Sequence, residues 1–213
     1  MAVRRFSIIT ESDARQIEPG TTVELEPKGH VTPLAADTLR ARRVTVVPSG
    51  TADPALPADL APVCPVRRVT IGSDHTGLAM KAAILAHLRQ QAIAVEDVGT
   101  HTTDAVDYPD IAAEVARSVA RGEADAGIVI DGAGLGSTIA ANKVRGIRAA
   151  MCLNVTLARY AREHNGANVL ALGCTLIDTA TALAIVDTWV TTSMKEARYL
   201  RRLLKVRRLE ERF

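Results

Sequence analysis

The 213-residue sequence has few aromatic residues and no long hydrophobic run. Aromatic side chains make up only 3% of it, so the hydrophobic core must consist mainly of Ala, Val, Ile and Leu. No apolar run reaches the roughly 18 residues that a membrane-spanning helix needs, and the N-terminal residues lack the apolar segment of a signal peptide. We therefore expect a cytoplasmic protein with no membrane partner.

Cysteines are few, and charges of the two signs nearly balance. Cys64, Cys152 and Cys174 form no CxxC pair, and no histidine-rich metal pattern accompanies them. The formal net charge of +2 is too small to indicate a nucleic-acid binder on charge alone. We expect free thiols, no bound metal and no nucleic-acid partner.

Proline is almost absent after residue 66, and this asymmetry divides the chain. Eight of the nine prolines come earlier, five of them between residues 48 and 65. Because proline lacks an N–H group and disfavours a helical residue before it, residues 48–66 are predicted to form an extended linker. A small N-terminal extension, residues 1–47, precedes this linker, and the main domain, residues 67–213, follows it.

The extension contains two helix-start signals and one strand signal. Thr10 can cap a short helix that begins at Glu11, and Thr32-Pro33 is a stronger start signal for a second helix. That helix leads into an apolar strand, residues 44–47. With so few large apolar side chains, the extension is expected to lack a core of its own and to lean on the main domain or on a partner.

From Val69 onwards, short apolar runs alternate with amphipathic helical stretches. This pattern is typical of a parallel sheet that is covered on both faces. Right-handed crossovers then give a doubly wound α/β sandwich, in which ligands bind beyond the carboxyl ends of the strands. The predicted strands are residues 69–73, 93–99, 126–131, 146–151 and 168–173.

Polar and glycine-rich motifs follow two of these strands. GSDHTG, residues 72–77, contains an aspartate and a histidine that either hold a polar or anionic ligand or simply cap a helix. DGAGLGST, residues 131–138, has alternate glycines that let the backbone approach a ligand. The glycine spacing is neither the Walker pattern nor a good dinucleotide fingerprint.

Two features nearer the C-terminus carry further candidate groups. His164 and Asn165 close a helix, where they either serve a site or only terminate that helix. Residues 195–213 contain eight Lys or Arg against three Glu, and Arg198 and Arg202 share a helical face. A solvated charged face is the usual explanation of such a run, and nucleic-acid contact is a weaker one because the rest of the chain is not basic.

In their order and spacing, these motifs resemble the type B ribose-5-phosphate isomerases, whose superfamily includes the galactose-6-phosphate isomerase subunits. DVGT at 97–100, DYPD at 107–110, IAANKVRGIRA and AREHNGANVLALG complete the likeness, which spans residues 68 to about 205. It implies a Rossmann-like three-layer α/β/α sandwich with a five-stranded parallel sheet and no metal or organic cofactor. It also implies a homodimer or homotetramer whose active sites take residues from both subunits.

The resemblance assigns roles to individual residues. Backbone donors of the glycine loop stabilise the enediolate, a histidine opens the furanose ring, and two arginines grip the phosphate. It implies that Asp74, His75, Tyr108, Asn165, Arg198 and Arg202 bind the substrate, and Ser137, at a position where the family varies, is added to them as a candidate. It implies catalytic roles for His164, Gly132, Gly134 and Gly136, and Asp131 joins these as a candidate on the chemical grounds that follow.

The sequence departs from the family at the base that abstracts the proton. Many members have a cysteine at the position of Asp131 and a threonine at that of Ala133, and a second subgroup uses a glutamate at the position of Ser137. Aldose–ketose isomerisation needs one base near C1 and C2 and donors for the oxyanion. An aspartate is already ionised at neutral pH, so we predict that Asp131 is the base. The alternative is that Asp131 only caps the loop and the protein is an inactive or repurposed homologue.

The extension has a resemblance of its own. ITESDAR and GTTVELEPKGHVTPLAADTLRARRVTVV are similar to the leading segment of some proteins encoded with bacterial microcompartments, such as ethanolamine-utilisation adenosyltransferases. This implies that residues 1–47 bind a shell or cargo protein and that the enzyme works inside a microcompartment. The alternative is a packing extension that widens the oligomer interface.

The leading functional hypothesis is an isomerase that interconverts ribose 5-phosphate and ribulose 5-phosphate. One rival keeps the chemistry and changes the substrate to a tetrose, a hexose or another pentose phosphate. Another rival is a non-catalytic sugar-phosphate-binding or scaffold subunit of a microcompartment.

Overall fold

The structure is a computed structural model that describes residues 4–48, 60–194 and 196–211. The chain divides into two compact units, Met1–Ala58 with Glu196–Arg201 and Asp59–Lys195 with Arg202–Phe213. Most of the predicted linker, residues 49–59, lies outside the described residues. The end of that linker, residues 60–66, is part of the larger unit, in which Leu60 and Val66 are buried.

The smaller unit is a three-stranded parallel sheet with two helices. The strands β1 (Arg5–Ile9), β2 (Thr22–Val31) and β3 (Thr45–Pro48) lie in that order, and the helices are α1 (Glu11–Gln16) and α2 (Pro33–Ala41). Both predicted helix starts are confirmed. Thr10 forms a reciprocal capping box with Asp13, whereas Thr32 makes no side-chain cap and Pro33 occupies the first turn of α2.

The smaller unit has a hydrophobic core of its own, contrary to the sequence-based expectation. Its buried members are small or aliphatic: Ile9, Ala14, Ile17, Val23, Ala35, Leu39 and Val44. The strands β1 and β2 were missed because charged residues interrupt their apolar alternation. Without them, the extension contained too little buried apolar surface for a core.

The larger unit is built on a five-stranded parallel sheet. Its strands are β4 (Arg68–Ser73), β5 (Ala94–Asp97), β6 (Ala126–Asp131), β7 (Ala149–Met151) and β8 (Val169–Gly173). They lie in the order β5-β4-β6-β8-β7. Every residue of β6 and β8 is buried, because both are interior strands with helices on each face. All five predicted strands are confirmed.

Helices cover both faces of this sheet. They are α3 (Leu78–Gln90), α4 (Tyr108–Ala120), α5 (Leu135–Ala141), α6 (Val155–Glu163) and α7 (Thr179–Thr191), and α8 (Ala197–Glu210) follows them. Side chains of α3, α6 and α7 share one core with the sheet, and those of α4 and α5 share the other. The predicted α/β/α sandwich is therefore confirmed. Among the helices described, none is long and apolar enough to cross a membrane.

Candidate active site

The turn after β4 is organised by Asp74, which is only 7% exposed. Its Oδ1 accepts hydrogen bonds from the N–H groups of Thr76 and Gly77, at 2.9 and 3.2 Å, and from Thr76 Oγ1 at 2.6 Å. Asp74 therefore caps the short 3-10 turn His75–Gly77. None of these bonds uses Oδ2, which can still accept a hydrogen bond from a ligand hydroxyl.

His75 is tied to the loop that leads towards α4. Its Nδ1 accepts a weak hydrogen bond, 3.4 Å long, from the N–H of Val106. A ring nitrogen that accepts carries no proton, so in the neutral imidazole the hydrogen is on Nε2. Nε2 is thus a donor suited to an anionic ligand.

A buried lysine that was not among the predicted site residues holds the loop after β5. The Lys81 ammonium group, 3% exposed, lies 2.7 Å from Asp97 Oδ1 and donates to the carbonyl of Thr100 at 2.6 Å. The N–H of Thr100 in turn donates to the carbonyl of Ser73 at the end of β4. Lys81 therefore supports the backbone directly before Asp74. In the sequence, its position inside the apolar stretch AMKAAIL was the signal that could have indicated a buried lysine.

Asp131 organises the glycine loop after β6. Its Oδ1 accepts from the N–H groups of Ala133, at 2.9 Å, and Gly134, and its Oδ2 accepts from the N–H of Ser137 at 3.0 Å. The carboxylate is 4% exposed. These hydrogen bonds are those expected if Asp131 caps the loop. Oδ2 also retains a lone pair that they do not use.

The glycine loop is pressed against the end of β8. Gly134 has a φ of +75°, and a Cβ there would lie 3.0 Å from the backbone nitrogen of Gly173. The N–H and hydroxyl groups of Thr175 both donate to the carbonyl of Gly132, at 3.0 and 2.6 Å. The loop conformation is thus fixed from both sides, which explains the need for glycine at 134.

Tyr108 lies directly over the glycine loop. A Cβ on Gly136 would stand 2.5 Å from the Cζ of the Tyr108 ring, so only glycine allows this contact. Tyr108 is the first residue of α4 and is 41% exposed. Its position at the same edge as Asp74 and Asp131 agrees with the predicted pocket.

Two side chains near the loop stand out. Ser137 is fully buried, and its Oγ makes no hydrogen bond among the described residues. Cys174, the first residue after β8, has its Sγ 3.4 Å from the carbonyl oxygen of Thr76 and 3.5 Å from Thr76 Oγ1. The thiol therefore lies between the loops after β4 and β8, although the sequence analysis gave it no role. Its position next to a strand end was the signal that could have found it.

The His164–Asn165 pair lies at the opposite edge of the sheet. Helix α6 runs back from the carboxyl end of β7 to the amino end of β8, and His164 is its C-terminal cap. The imidazole stacks on the ring of Tyr160, with centroids 4.7 Å apart, and Asn165 Nδ2 donates to the carbonyl of Tyr160. Within one chain, these residues therefore do not meet Asp74, Tyr108 or the glycine loop.

The two predicted phosphate-binding arginines are both exposed residues of α8. Arg198 belongs to the smaller unit, where its guanidinium group contacts Glu196 at 2.6 Å and Tyr199 Oη at 3.0 Å. The hydrogen bond to Tyr199 and the negative charge of Glu196 raise the pKa of Arg198, and the hydrogen bond has the larger effect. Arg202 belongs to the larger unit, one turn further along the helix.

No group of His, Cys, Asp or Glu suited to a metal ion occurs in the described part of the chain. All three cysteines are free. Burial raises the pKa of the Cys152 thiol to about 12, so this cysteine remains protonated at neutral pH.

A family model described as "Ribose/Galactose Isomerase" matches residues 69–206. The sequence is 40% identical over 147 residues to the ribose-5-phosphate isomerase B of Escherichia coli, covering 69% of this chain and 99% of the relative. It is 43% identical over 138 residues to the enzyme of the same name from Mycolicibacterium paratuberculosis, covering 64% of this chain and 87% of the relative.

Solved structures show the same likeness. The ribose-5-phosphate isomerase B of Clostridium thermocellum aligns with a TM-score of 0.67 and 48% identity, covering 68% of this chain and 98% of that one. The Mycoplasma genitalium enzyme with bound ribulose 5-phosphate aligns with a TM-score of 0.66 and 38% identity, covering 68% of this chain and 97% of that one. The family match begins at residue 69, so the residues before it have no counterpart in that model.

Proposed function

Because the chain belongs to the ribose/galactose isomerase family, we propose that it interconverts ribose 5-phosphate and ribulose 5-phosphate through an enediolate. One observation carries this proposal. A capped histidine turn, a tyrosine and a rigid glycine loop converge at the carboxyl edge of the sheet, where ligands bind in this type of fold.

In this mechanism Asp131 is the base that moves the proton between C1 and C2. Oδ1 holds the glycine loop, while Oδ2 accepts a single hydrogen bond and can take up the proton. Asp131 engages the N–H groups of Ala133, Gly134 and Ser137, so the N–H of Gly134 does not serve the enediolate as the resemblance implied. The N–H groups of Leu135 and Gly136 are the donors that we assign to the oxyanion. Gly132 gives the loop its close approach to the ligand, and Asp74, His75 and Tyr108 bind the sugar phosphate.

The proposal includes a second subunit in each active site. His164 is assigned the opening of the furanose ring, with Asn165 beside it, and Arg198 and Arg202 are assigned the phosphate. Because the His164 turn lies at the amino edge, one subunit cannot bring it to its own glycine loop. Exposed apolar side chains on α5 and α6, the helices that flank the edge strand β7, support a homodimer or homotetramer: Leu135, Ile139, Val155, Leu157 and Tyr160.

A different phosphorylated sugar is the second candidate substrate. The pocket wall of this chain differs from that of many family members. It has an aspartate at position 131, Ala133 in place of the family threonine, and the small Ser137. A tetrose, a hexose or another pentose phosphate would undergo the same proton transfer. No chemical step changes between these candidates, so only relative rates distinguish them.

The smaller unit is assigned a docking role, and its partner in this proposal is a microcompartment shell or cargo protein. The protein then works in the cytoplasm, inside such a microcompartment. The separate core within residues 4–48 and the capping box of α1 support a role other than catalysis for this part of the smaller unit. Co-sedimentation of full-length protein with purified shells tests this, with Leu39→Asp as the core-disrupting control. Equal sedimentation of both proteins contradicts the assignment.

Hydrogen exchange tests the enzymatic proposal directly. The full-length protein is incubated with ribose 5-phosphate in D₂O, and the C2 hydrogen and the ketose product are followed by NMR. An isomerase incorporates deuterium at C2 and forms ribulose 5-phosphate, whereas a binding protein leaves the sugar unlabelled. In a panel of phosphorylated aldoses, a higher kcat/KM for another sugar would reassign the substrate.

A further inference from the structure

The turn that carries His164 and Asn165 is held by two arginines. Arg148 Nε donates to the carbonyl of Gly166 at 2.8 Å, and Arg162 Nη1 donates to the carbonyl of Ala167, also at 2.8 Å. Both acceptors lie within three residues of His164. The two guanidinium groups thus fix the backbone immediately after the predicted ring-opening residues.

Arg162 is an unusual residue to find in a protein core. Its side chain is fully buried, with the guanidinium group 5.3 Å from the centroid of the Trp189 ring. Burial lowers its pKa to about 10, and the neighbouring charge of Arg148 lowers it as well. A buried cation is costly, so the contacts that it makes must offset a large loss of hydration.

A second nitrogen of each guanidinium group donates to a segment that precedes the isomerase domain. Arg148 Nη2 donates to the carbonyl of Leu60 at 3.2 Å, and Arg162 Nη2 donates to the carbonyl of Val63 at 2.6 Å. We call residues 60–66 the pre-domain segment. The planar fork of arginine suits such a bridge, because its donors point in fixed and different directions.

The pre-domain segment is itself firmly seated on the larger unit. Leu60 and Val66 are each 3% exposed, and the N–H of Val66 donates to the carbonyl of Val190 at the end of α7. This segment lies outside the family match, which begins at residue 69. It is therefore an addition to the domain that supplies one carbonyl acceptor to each of two arginines inside it.

Side-chain packing closes around the same turn. Gly166 has a φ of +56°, and a Cβ there would lie 2.5 Å from Leu203 Cδ1, 3.0 Å from Met194 Cε and 3.5 Å from Pro62 Cδ. The turn therefore has little room to move. Catalytic groups need such rigidity, because small displacements from the reactive geometry slow a reaction strongly.

We propose that Arg148 and Arg162 are positioning residues for His164, and that the pre-domain segment is a working part of the isomerase because it anchors both arginines. This inference rests on the proposed function, since it assigns to the turn the ring-opening step of ribose 5-phosphate isomerisation. The arginines do not touch the substrate. They act through the backbone of residues 164–167.

The first test separates ring opening from proton transfer. Ribose 5-phosphate is mostly a closed furanose, whereas ribulose 5-phosphate has no free hydroxyl with which to close such a ring. We expect Arg162→Lys, which keeps the charge but loses the fork, to slow turnover of ribose 5-phosphate about tenfold. Deuterium exchange at C1 of ribulose 5-phosphate should stay within about twofold of wild type. Arg117→Lys on the exposed surface of α4 is the matched control and should change neither rate.

The outcomes of this test distinguish the two levels of the proposal. If Arg162→Lys slows both reactions by the same factor, or neither, the positioning role is wrong. A folding defect that only reduces the fraction of active protein would slow both reactions by the same factor. If the wild-type protein catalyses neither reaction, the proposed function fails, and this inference fails with it.

The second test addresses the pre-domain segment. Leu60→Ala loosens the segment whose carbonyl Arg148 holds, and Arg148→Lys removes the fork from the other side. If both substitutions disturb the same contact between Arg148 and the pre-domain segment, the double variant should turn over ribose 5-phosphate about as slowly as the slower single variant. Leu88→Ala, which alters a buried leucine of α3, should combine multiplicatively with Arg148→Lys. Multiplicative losses for Leu60→Ala with Arg148→Lys would overturn the role of the segment.

Discussion

In the loops at the carboxyl edge of the five-stranded sheet, carboxylates hold backbone N–H groups, whereas in the turn at the amino edge guanidinium groups hold backbone carbonyls. Asp74 and Asp131 cap the loops after β4 and β6, and Arg148 and Arg162 grip the carbonyls that follow His164. Each edge thus has a rigid backbone, but the side chains that it presents differ. The carboxyl edge carries the proposed base and oxyanion donors, and the amino edge carries the imidazole to which ring opening is assigned.

The difference explains why one subunit is insufficient for the proposed reaction. A strand of five residues spans roughly 16 Å, so the two edges lie too far apart to act on one sugar carbon skeleton. In the proposed function, a second copy therefore places its amino edge against the carboxyl edge of the first.

The largest effect is expected at Asp131, where the base and capping interpretations predict opposite orders of activity. Asparagine keeps an acceptor for the loop but is no base, whereas cysteine is a potential base but a poor cap. We expect Asp131→Asn to lower kcat about 100-fold or more, and Asp131→Cys to retain more activity than Asp131→Asn. Steady-state kinetics measure this, with melting temperatures as the fold control. Higher activity in Asp131→Asn would establish the capping role alone.

Lys81 breaks the pattern of the carboxyl edge, because it is a cation that holds a carbonyl there. Lys81→Met leaves Asp97 without its buried partner and should cost about 3–5 kcal/mol of unfolding free energy. Arg68→Met is the matched change in the half-exposed pair with Asp125 at the amino edge, and should cost about 1 kcal/mol or less. Urea unfolding measures both. Equal losses would mean that burial does not set the strength of these pairs.

A substitution of Gly136 tests how rigid the carboxyl edge is. Gly136→Ala drives a Cβ into the Tyr108 ring and should lower kcat/KM about 10- to 100-fold. Tyr108→Ala removes the ring that this Cβ would meet, so adding Gly136→Ala to Tyr108→Ala should cost little further activity. A further loss as large as that of Gly136→Ala alone would contradict the importance of the tyrosine contact.

Asp125 breaks the pattern of the amino edge, because it is a carboxylate that holds N–H groups there. Burial raises the pKa of Asp125, but hydrogen bonds from the N–H groups of Arg67 and Arg68 and from the Arg68 guanidinium group outweigh it and lower the pKa. Its stabilisation is therefore complete above the ordinary aspartate pKa of about 3.9 and is lost as the pH falls through the lower folded-state value. Asp125→Asn should lose a constant free energy from about pH 5 to 8 and less below about pH 4. A difference that grows in acid would contradict this.

The sequence predicted the five-stranded sheet well because its strands are buried on both faces and are therefore apolar without interruption. It predicted the smaller unit poorly because β2 contains Glu24, which is 1% exposed and pairs with Arg5. A charged residue inside a strand hides the apolar alternation on which strand prediction depends.

In the candidate site, motif order located Asp74, Tyr108 and the glycine loop at one edge. Lys81 and the pre-domain segment were missed for a different reason. Their contacts join residues far apart in the sequence, and carbonyl acceptors such as those of Leu60 and Val63 leave no trace in residue type.

Subunit complementation is the sharpest test of an active site that two subunits share. Asp131→Asn and His164→Asn proteins, each expected to be nearly inactive, are mixed, dissociated and reassembled. Random pairing puts half of the dimers into the mixed form, and one of the two sites in each mixed dimer is unaltered, so we expect about a quarter of wild-type activity. A mixture that assembles fully but stays as inactive as its parents would contradict an active site built from opposite edges of two subunits.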